Sequence, residues 1–532
     1  MVKKIFSLLS VIVVGVFIAF PLFHPGFYPT HDGEYHIIRF YEFFKVLQDG
    51  VIYPRWAPDL NNGFGLPLFS FVYPLPNYIA SFFHIFGLSF IDSFKMSMII
   101  GLILSGIFFY LWVREFVSEK SSIVASIFFM SAPYHILDII IRGSIGEVWA
   151  LAFFPGFLWA ITRYKKNTSN KNFALSVIFL SLTIISHNIL GLMFFSFSIV
   201  YAVWLGCFSI KNMVKTVGIY GLSLGITAVF WLPALLEKKY VTGLELYDIK
   251  SNFVDLYQLI VPSWGSGFFN SPVNPMSVQI GVANILIVIL SLCLAAYHKQ
   301  YRREIVFFVV AFFCLILLML PVSDLVWRYV PLMNFFQFPW RLLSLVIVTT
   351  SFLSGIVTEI IKPKWILYVL GALPILLAIG YNTPAYYFDR NDEYYISRGN
   401  FIHGTNSPGD YFNTIWIKSK EIFTSRIATA SGVVISNVGI KSQSYTFDIS
   451  TQNQTNLIVN TAYFPGWTAY IDEHEENVEI SEKGLILIAI PEGKHFMRIL
   501  FSDTLTRQMA ALLSLTSLCL LCVISTRKAV LQ

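Results

Sequence analysis

The chain has 532 residues, of which 56% are hydrophobic and 13% are charged, and its mean hydropathy is +0.65. Soluble domains carry about 25% charged residues, so this composition excludes an ordinary soluble protein and predicts a polytopic α-helical membrane protein. The net charge is +6, and the basic residues cluster in short connections, a distribution that sets membrane orientation and does not indicate nucleic-acid binding. All five cysteines lie in apolar runs, so neither a disulfide framework nor a thiolate metal site is predicted.

Apolar runs long enough to cross a bilayer, about 20 residues each, predict about twelve transmembrane helices. They lie at about 5–22, 93–113, 121–135, 147–162, 172–186, 190–208, 216–235, 279–297, 304–320, 341–361, 365–381 and 506–524. No small-residue cleavage site follows the first run, so we expect an uncleaved span. The stretch 68–86 is also apolar, but Pro74 and Pro76 interrupt it, which favours an interfacial or re-entrant segment.

The connections between these runs alternate in character. Short connections are rich in Lys and Arg, whereas long ones carry few basic residues. The positive-inside rule then places both chain termini in the cytoplasm and the long connections outside. We therefore expect the working face of the protein to be extracytoplasmic.

The sequence divides into four regions. These are a transmembrane domain with outer-face loops at 1–381, an ordered outer loop region at 382–420, an extracytoplasmic β-domain at 421–504, and a last span with a cytoplasmic tail at 505–532. In the third region, the alternation of Tyr445, Phe447 and Ile449 predicts a β-strand. The aromatic content of 382–420 favours an ordered loop over the membrane domain, with a plain linker as the alternative.

The densest group of ionisable residues follows the first apolar run. Asp32, His36 and Arg39 are spaced i, i+4 and i+7, so a helix beginning at Asp32 would carry a carboxylate, an imidazole and a guanidinium on one face. Glu34 lies in the same stretch. The alternative is that Asp32 caps the helix and the other charges form a wetted interfacial surface.

Further ionisable residues lie in the predicted outer connections. Arg142 and Glu147 belong to the second outer loop, His187 to the third, and Arg328 to the loop after the ninth span. Arg341 lies at the outer end of the tenth span, where charge bias disfavours arginine, and its guanidinium suits phosphate oxygens. The alternatives are an ion pair that ties the second loop, a core or helix-end histidine, and an arginine that snorkels to the interface.

Compact catalytic motifs are absent from the sequence. It contains no Gly-rich phosphate loop, nucleophile elbow or paired-cysteine metal motif, so the chemistry is expected from scattered outer-face residues. No cofactor is predicted. A divalent metal is compatible with the oxygen and nitrogen ligands of Asp32, His36, Asp138 and Glu147, although their spacing is not diagnostic.

Several motifs resemble one family over nearly the whole chain. They are the acidic residue after the first span, Tyr53-Pro54-Arg55-Trp56, Gly63-Phe64-Gly65-Leu66-Pro67, Tyr73-Pro74-Leu75, the loop from Arg142 to Glu147, Phe338-Pro339-Trp340-Arg341, Tyr463-Phe464-Pro465-Gly466-Trp467, and Pro491-Glu492-Gly493-Lys494-His495. The chain resembles the YfhO-like bacterial membrane proteins of the branch labelled "6-pyruvoyl-tetrahydropterin synthase-related", a label that implies no pterin chemistry. That family is similar to the GT-C glycosyltransferases.

The resemblance implies a GT-C-like fold in a bacterial plasma membrane and sugar transfer at the outer face from a polyprenyl-phosphate-linked donor. It also implies that Asp32, the acidic residue of the first loop, is the catalytic carboxylate. The candidate substrate-binding residues are Glu34, His36, Arg39, Arg142, Glu147, His187, Arg328 and Arg341. The adjacent Asp-Glu pair of some GT-C enzymes is interrupted here by Gly33.

Sugar transfer to a hydroxyl needs a base for the acceptor proton and a cation for the leaving phosphate. Asp32, with Arg341 or Arg328, supplies both. The expected partners are the polyprenyl-phosphate sugar donor, a glycan, lipid or protein acceptor, and membrane lipids. One alternative is a transporter or flippase of a lipid-linked glycan, which would carry several charges at mid-span. Another is a non-catalytic cell-envelope scaffold whose β-domain binds a surface polymer.

Overall fold

The computed structural model describes residues 2–210, 212–243, 248–361, 363–397, 411–418, 425–427 and 432–526. These residues form a large helical part, which includes the last helix, and a β-rich part between residues 433 and 501. The predicted membrane-type helical architecture with a β-rich region before the last helix is confirmed. The parts of the predicted outer loop and β-domain at 398–410, 419–424 and 428–431, and the tail at 527–532, lie outside the described residues.

Twenty α-helices are described. They are α1 (Val2–Ile18), α2 (Gly33–Gln48), α3 (Leu68–Phe71), α4 (Leu75–Ile85), α5 (Phe90–Val113), α6 (Glu119–Met130), α7 (Pro133–Leu137), α8 (Ile145–Lys166), α9 (Asn170–Ser186), α10 (Asn188–Leu205), α11 (Met213–Ile226), α12 (Ala228–Glu237), α13 (Leu256–Ile260), α14 (Val282–Tyr297), α15 (Arg302–Met319), α16 (Asp324–Tyr329), α17 (Leu343–Ile360), α18 (Lys364–Ala378), α19 (Asp392–Ile396) and α20 (Leu505–Thr526).

Five helices of the described chain are long and apolar enough to cross a membrane: α5, α8, α10, α17 with its preceding turn, and α20. Three pairs joined at a sharp bend pass the same test together, so up to eight spans result if each pair is one span. Four shorter apolar helices lie within α1, α9, α14 and α18. The number of about twelve spans, and their orientation, stay predictions.

The structure differs from the sequence-based expectation at residues 136–146. The sequence predicts an outer loop there, but α7 follows α6 after a bend of 46°, and a π-helical turn, Asp138–Arg142, continues α7. The reason is the apolar run Ile139, Ile140 and Ile141, of which no member is more than 6% exposed. An exposed loop would leave these three side chains in contact with water.

The β-rich part consists of eight strands. They are β1 (Val433–Lys441), β2 (Ser444–Thr451), β3 (Thr455–Ala462), β4 (Trp467–Ile471), β5 (His474–Glu476), β6 (Glu479–Ile480), β7 (Leu485–Ile490) and β8 (Gly493–Phe501). One antiparallel sheet has the order β1-β2-β8-β4-β5 and a second has the order β3-β7-β6. The predicted alternation is confirmed, because Tyr445, Phe447 and Ile449 of β2 are all buried.

The β-rich part packs on the chain segment that follows α2. The Trp56 ring lies 5.4 Å from the Trp467 ring in an edge-to-face arrangement, and the Ala462 N–H donates to the Phe64 carbonyl at 2.8 Å. Trp56 and Phe64 belong to the same apolar core as the strands. The two parts of the chain are therefore joined by a shared core.

The candidate site lies where several helices end. Helix α8 packs against α5 and α9, and α17 packs against α6, α14 and α15. Helix α2 lies on α4, α5 and α19. This packing brings the first turn of α8, the turn before α17 and the start of α2 together, although they are far apart in sequence.

Candidate functional site

Glu147 lies at the centre of a buried ion network. Its Oε1 accepts hydrogen bonds from Arg142 Nη2 at 2.8 Å and Arg341 Nε at 3.0 Å, and its Oε2 accepts one from the Tyr134 hydroxyl at 2.7 Å. Arg142 also donates from Nη1 to Asp138 Oδ1 at 2.5 Å. We call these five residues the Glu147 network. Two carboxylates and two guanidiniums balance in charge, which is the condition for burying such groups.

Gly143 shapes the turn between Arg142 and Glu147. Its φ of +63° is left-handed, a conformation that glycine adopts without strain. A Cβ at this position would lie 2.7 Å from Thr30 Oγ1 and 3.0 Å from the Gly33 nitrogen. The segment that carries Asp32 therefore packs directly on this turn.

The backbone of Asp32 is bound to the same turn. The N–H groups of His31 and Asp32 donate to the carbonyls of Ile141 and Arg142, each at 2.9 Å. The Asp32 carboxylate does not cap α2; Thr30 Oγ1 instead accepts from the Gly33 N–H at 2.9 Å. The capping alternative therefore does not hold. The carboxylate is half-buried, and no described residue donates a side-chain hydrogen bond to it.

His36 and Arg39 follow Asp32 on α2. Arg39 lies within electrostatic range of both Asp32 and His36, as the predicted spacing on one helix face requires. Burial lowers the pKa of the His36 imidazole well below its usual range, and the positive charge of Arg39 lowers it further. His36 is therefore neutral at neutral pH, and Arg39 is the cation of this group.

Tyr73 is close to both Asp32 and the Glu147 network. Its hydroxyl is within electrostatic range of Asp32 and Arg39 and also of Glu147 and Arg341, and burial raises its pKa. We call Asp32, His36, Arg39 and Tyr73 the Asp32 group. The Asp32 group and the Glu147 network are thus adjacent parts of one site.

His187 faces the network from the start of α10. Its Nδ1 accepts the N–H groups of Ile189 and Leu190, each at 3.2 Å, and so caps that helix. Its Nε2 lies 3.9 Å from Glu147 Oε1, which is longer than a hydrogen bond. His187 therefore has the helix-end role that the sequence left open.

Arg341 is bound on several sides. Besides its bond to Glu147, it donates from Nη1 to Gln337 Oε1 at 2.5 Å, and its guanidinium lies 4.7 Å from the centre of the Phe338 ring. It is 7% exposed, so it does not snorkel to the surface. Its remaining terminal nitrogen, Nη2, donates to no described residue.

A loop between α13 and α14 contacts residues next to both parts of the site. The Ser266 carbonyl lies 2.9 Å from His31 Nε2, and the Phe268 ring lies 4.5 Å from the His31 ring. Phe269 lies 6.2 Å from Trp340, the ring over which Arg142 is placed at 4.9 Å. The loop therefore packs on His31, the residue next to Asp32, and on Trp340, the residue next to Arg341.

Two predicted residues lie outside this arrangement. Arg328 is exposed and forms an ion pair with Asp324, so the structure does not bring it to the network. Glu34 lies 3.9 Å from Arg390. The described residues contain no group of three or more His, Cys, Asp or Glu side chains that could hold a metal ion. The metal interpretation thus gains no support, because Asp138 and Glu147 bind arginines instead.

Three residues of the site were not predicted from the sequence: Tyr134, Gln337 and Tyr73. Tyr134 reaches Glu147 across the bend before α8, and Gln337 reaches Arg341 across a turn, so spacing alone carries no signal for either. Tyr73 lies in the Tyr73-Pro74-Leu75 motif, which was the one available indication.

Residues 69–388 match the sequence model of a family described as the 6-pyruvoyl-tetrahydropterin synthase related domain, a membrane protein. An uncharacterized protein of Lactococcus lactis subsp. cremoris (strain MG1363) is 22% identical over 240 residues, which cover 42% of this chain and 38% of that protein.

Two solved structures resemble the chain with TM-scores below 0.5. The arabinofuranosyltransferase AftD from Mycobacteria has a TM-score of 0.48 at 16% identity, and the match covers 72% of this chain and 27% of that one. The apo oligosaccharyltransferase of Archaeoglobus fulgidus has a TM-score of 0.45 at 14% identity, and the match covers 77% and 61%. The chain spans less than two thirds of each of the three proteins. The family match covers more than half of the chain, and the protein therefore belongs to the 6-pyruvoyl-tetrahydropterin synthase related family of membrane proteins.

Proposed function

We propose that the protein is a GT-C-type membrane glycosyltransferase that moves a sugar from a polyprenyl-phosphate-linked donor to an extracytoplasmic acceptor. The acceptor is a cell-surface glycan, a lipid or a protein. In this proposal both chain termini are cytoplasmic, and the site and the β-rich part face the outside of a bacterial plasma membrane.

The observation that carries the proposal is how Asp32 is held, through its backbone and not through its carboxylate. Its backbone is fixed to the Glu147 network by the bond to the Arg142 carbonyl, whereas its carboxylate accepts no side-chain hydrogen bond from a described residue. A carboxylate held in place by its backbone but not used in a structural contact suits a general base, because a base must be positioned and still able to accept a proton.

The proposed step is a displacement at the anomeric carbon of the donor sugar. Asp32 accepts the proton of an acceptor hydroxyl, whose oxygen forms a bond to the anomeric carbon of the sugar. The bond between that carbon and the phosphate oxygen breaks, and its electron pair leaves with the polyprenyl phosphate. Positive groups that the fold holds in position before the reaction stabilise such a leaving anion. Arg341, with its Nη2 not used by the described residues, and Arg39 beside Asp32 are the cations assigned to it.

One observation favours the transporter alternative. Asp138, Arg142 and Glu147 lie in helical segments, although the sequence predicts an outer loop for them. Charges within spans are typical of translocation paths. These three residues, however, lie in the last turn of one segment and the first turn of the next, and they pair with one another. Their position at helix ends agrees better with a site at the membrane surface.

Reconstituted protein decides between these functions. Proteoliposomes are loaded with a polyprenyl-phosphate hexose whose sugar is radiolabelled, and the orientation of the protein is measured by labelling a Ser444→Cys variant in the β-rich part. We expect label to move from the polyprenyl fraction to a new product only when the donor is accessible from the β-rich side. Intact donor that crosses the bilayer would support the transporter, and an unchanged donor would support the scaffold.

Arg341→Lys tests whether Arg341 binds the leaving phosphate. Lysine keeps the charge but not the planar fork that contacts two phosphate oxygens, so we expect at least tenfold weaker donor binding, equal to about 1.4 kcal/mol. Apparent donor affinity in the transfer assay is the measurement. Arg114→Lys, an exposed arginine near Glu119, is the matched control. A donor affinity near wild type for Arg341→Lys would remove Arg341 from the site.

A further inference from the structure

Tyr73 lies just before α4, and its neighbours hold both its backbone and its ring. The centre of the ring lies 4.9 Å from that of the His187 ring. A Cβ at Gly146 would lie 2.5 Å from two atoms of the Tyr73 ring, so the absence of a side chain there lets the ring lie against the first turn of α8. The Tyr73 carbonyl accepts a hydrogen bond from Asn77 Nδ2 at 3.1 Å. The position of the phenol is therefore fixed by the fold.

The hydroxyl of Tyr73, in contrast, forms no hydrogen bond with a described residue. It is also not one of the described side-chain atoms that are both buried and without a partner, and the residue as a whole is half-buried. The hydroxyl is therefore accessible within the site. A ligand that enters the site can accept a hydrogen bond from it.

The charges around this hydroxyl indicate which kind of group it meets. Arg39 and Arg341, the two cations assigned to the leaving phosphate, both lie within electrostatic range of it. Burial raises the pKa of the phenol, and the carboxylates of Asp32 and Glu147 raise it further. The phenol therefore keeps its proton at neutral pH and is a hydrogen-bond donor, not a base. A donor that lies near two cations suits an anionic acceptor.

We propose that the Tyr73 hydroxyl donates a hydrogen bond to the leaving phosphate of the lipid-linked donor, beside Arg39 and Arg341. This inference rests on the proposed sugar transfer and adds a further residue to it. The phosphate gains negative charge while its bond to the anomeric carbon breaks. A neutral donor that the fold holds next to this charge stabilises it without a further cation in the site. The hydrogen bond is therefore stronger in the transition state than with the bound donor, so its loss should lower kcat.

Tyr73→Phe tests the proposal, because phenylalanine keeps the ring and its contacts and removes only the hydroxyl. The full-length protein is studied in lipid nanodiscs with polyprenyl phosphate as the probe. Polyprenol, which has the same tail but no phosphate, is the reference ligand. We expect about tenfold weaker binding of polyprenyl phosphate, the usual effect of losing one hydrogen bond to a charged group, and unchanged binding of polyprenol. Tyr78→Phe is the matched control, since the Tyr78 hydroxyl donates to the Ile52 carbonyl at 2.7 Å, outside the site.

The kinetics of sugar transfer provide a second measurement on the same variant. We expect kcat to fall by about 10²-fold, as when one donor to a developing anion is removed, with a smaller change in the KM for the lipid-linked donor. The acid limb of the pH profile of kcat/KM reports the base of the free protein, and it should not move. A displaced acid limb would assign the hydroxyl to Asp32 and overturn the proposal.

The two measurements together separate this proposal from the transferase proposal. Unchanged binding of polyprenyl phosphate to Tyr73→Phe, or an equal loss of polyprenol binding, would overturn the role of Tyr73. If the wild type transfers sugar and Tyr73→Phe transfers it at the same rate, the role of Tyr73 is wrong and the transferase proposal stands. If no sugar is transferred but the binding of polyprenyl phosphate still depends on Tyr73, the phosphate site stands and the transferase proposal is wrong.

Discussion

Replacing Asp32 by Asn is expected to lower the rate of sugar transfer by about 10² to 10⁴-fold, the usual contribution of a general base. Asparagine has nearly the same volume but accepts no proton at neutral pH. The backbone N–H of residue 32, which donates to the Arg142 carbonyl, is unaffected. Because the wild-type carboxylate neither caps α2 nor bonds to another described side chain, we expect the free energy of unfolding to change little.

The measurement is the transfer rate at saturating donor, together with the amount of inserted protein and its thermal unfolding. Asp92→Asn is the control, because Asp92 is an exposed carboxylate that pairs with Lys95 at 3.0 Å near the start of α5. We expect this variant to transfer sugar like the wild type. If Asp32→Asn fails to accumulate in the membrane, a structural role for Asp32 replaces the catalytic one. If it accumulates and remains active, the base must be sought elsewhere.

The main features of the fold could be predicted because they follow from local patterns. Apolar runs of sufficient length predicted helices such as α5 and α20, and the alternation in β2 predicted a buried strand face. The prediction was wrong at residues 136–146, where charged residues suggested a loop. There the apolar run of three isoleucines determined the structure, because it is buried together with the charges that flank it.

The site itself was predicted only in part. The spacing of Asp32, His36 and Arg39 on one helix face needs no knowledge of tertiary structure. The contact between Arg341 and Glu147 joins residues 194 positions apart, and it depends on the packing of α8 against the segment before α17. No local pattern specifies such a contact. The sequence therefore indicated which residue types were present, whereas the structure was needed to show which of them meet.

The arginines of the network were expected to contact substrate, but the structure gives them a second role. Arg142 uses both terminal nitrogens on Asp138 and Glu147. Its carbonyl also holds the backbone of Asp32. The network therefore positions the proposed base, and any change in its charge balance should affect both stability and activity.

Glu147→Gln is expected to destabilise the protein by about 3–5 kcal/mol, the usual cost of removing one partner from a buried ion pair. The glutamine can still accept a hydrogen bond from Tyr134, but the charge that balances Arg341 is lost. Gln337 is then the only other described side chain that hydrogen-bonds to Arg341. Arg142 keeps its ion pair with Asp138. Denaturant titration of the protein in detergent measures the free energy of unfolding. Glu473→Gln breaks the exposed pair with Arg498, and this control should cost less than about 1 kcal/mol.

Adding Arg341→Gln to Glu147→Gln distinguishes charge balance from simple loss of packing. In the double variant the uncompensated cation is removed together with its partner, so the loss of stability should be smaller than the sum of the two single losses. The coupling of residues that share a charge network is typically about 0.5–3 kcal/mol. Losses that add without coupling would mean that Glu147 and Arg341 stabilise the protein independently. The network would then be a set of separate contacts, and the link between it and the position of Asp32 would rest on the backbone bond alone.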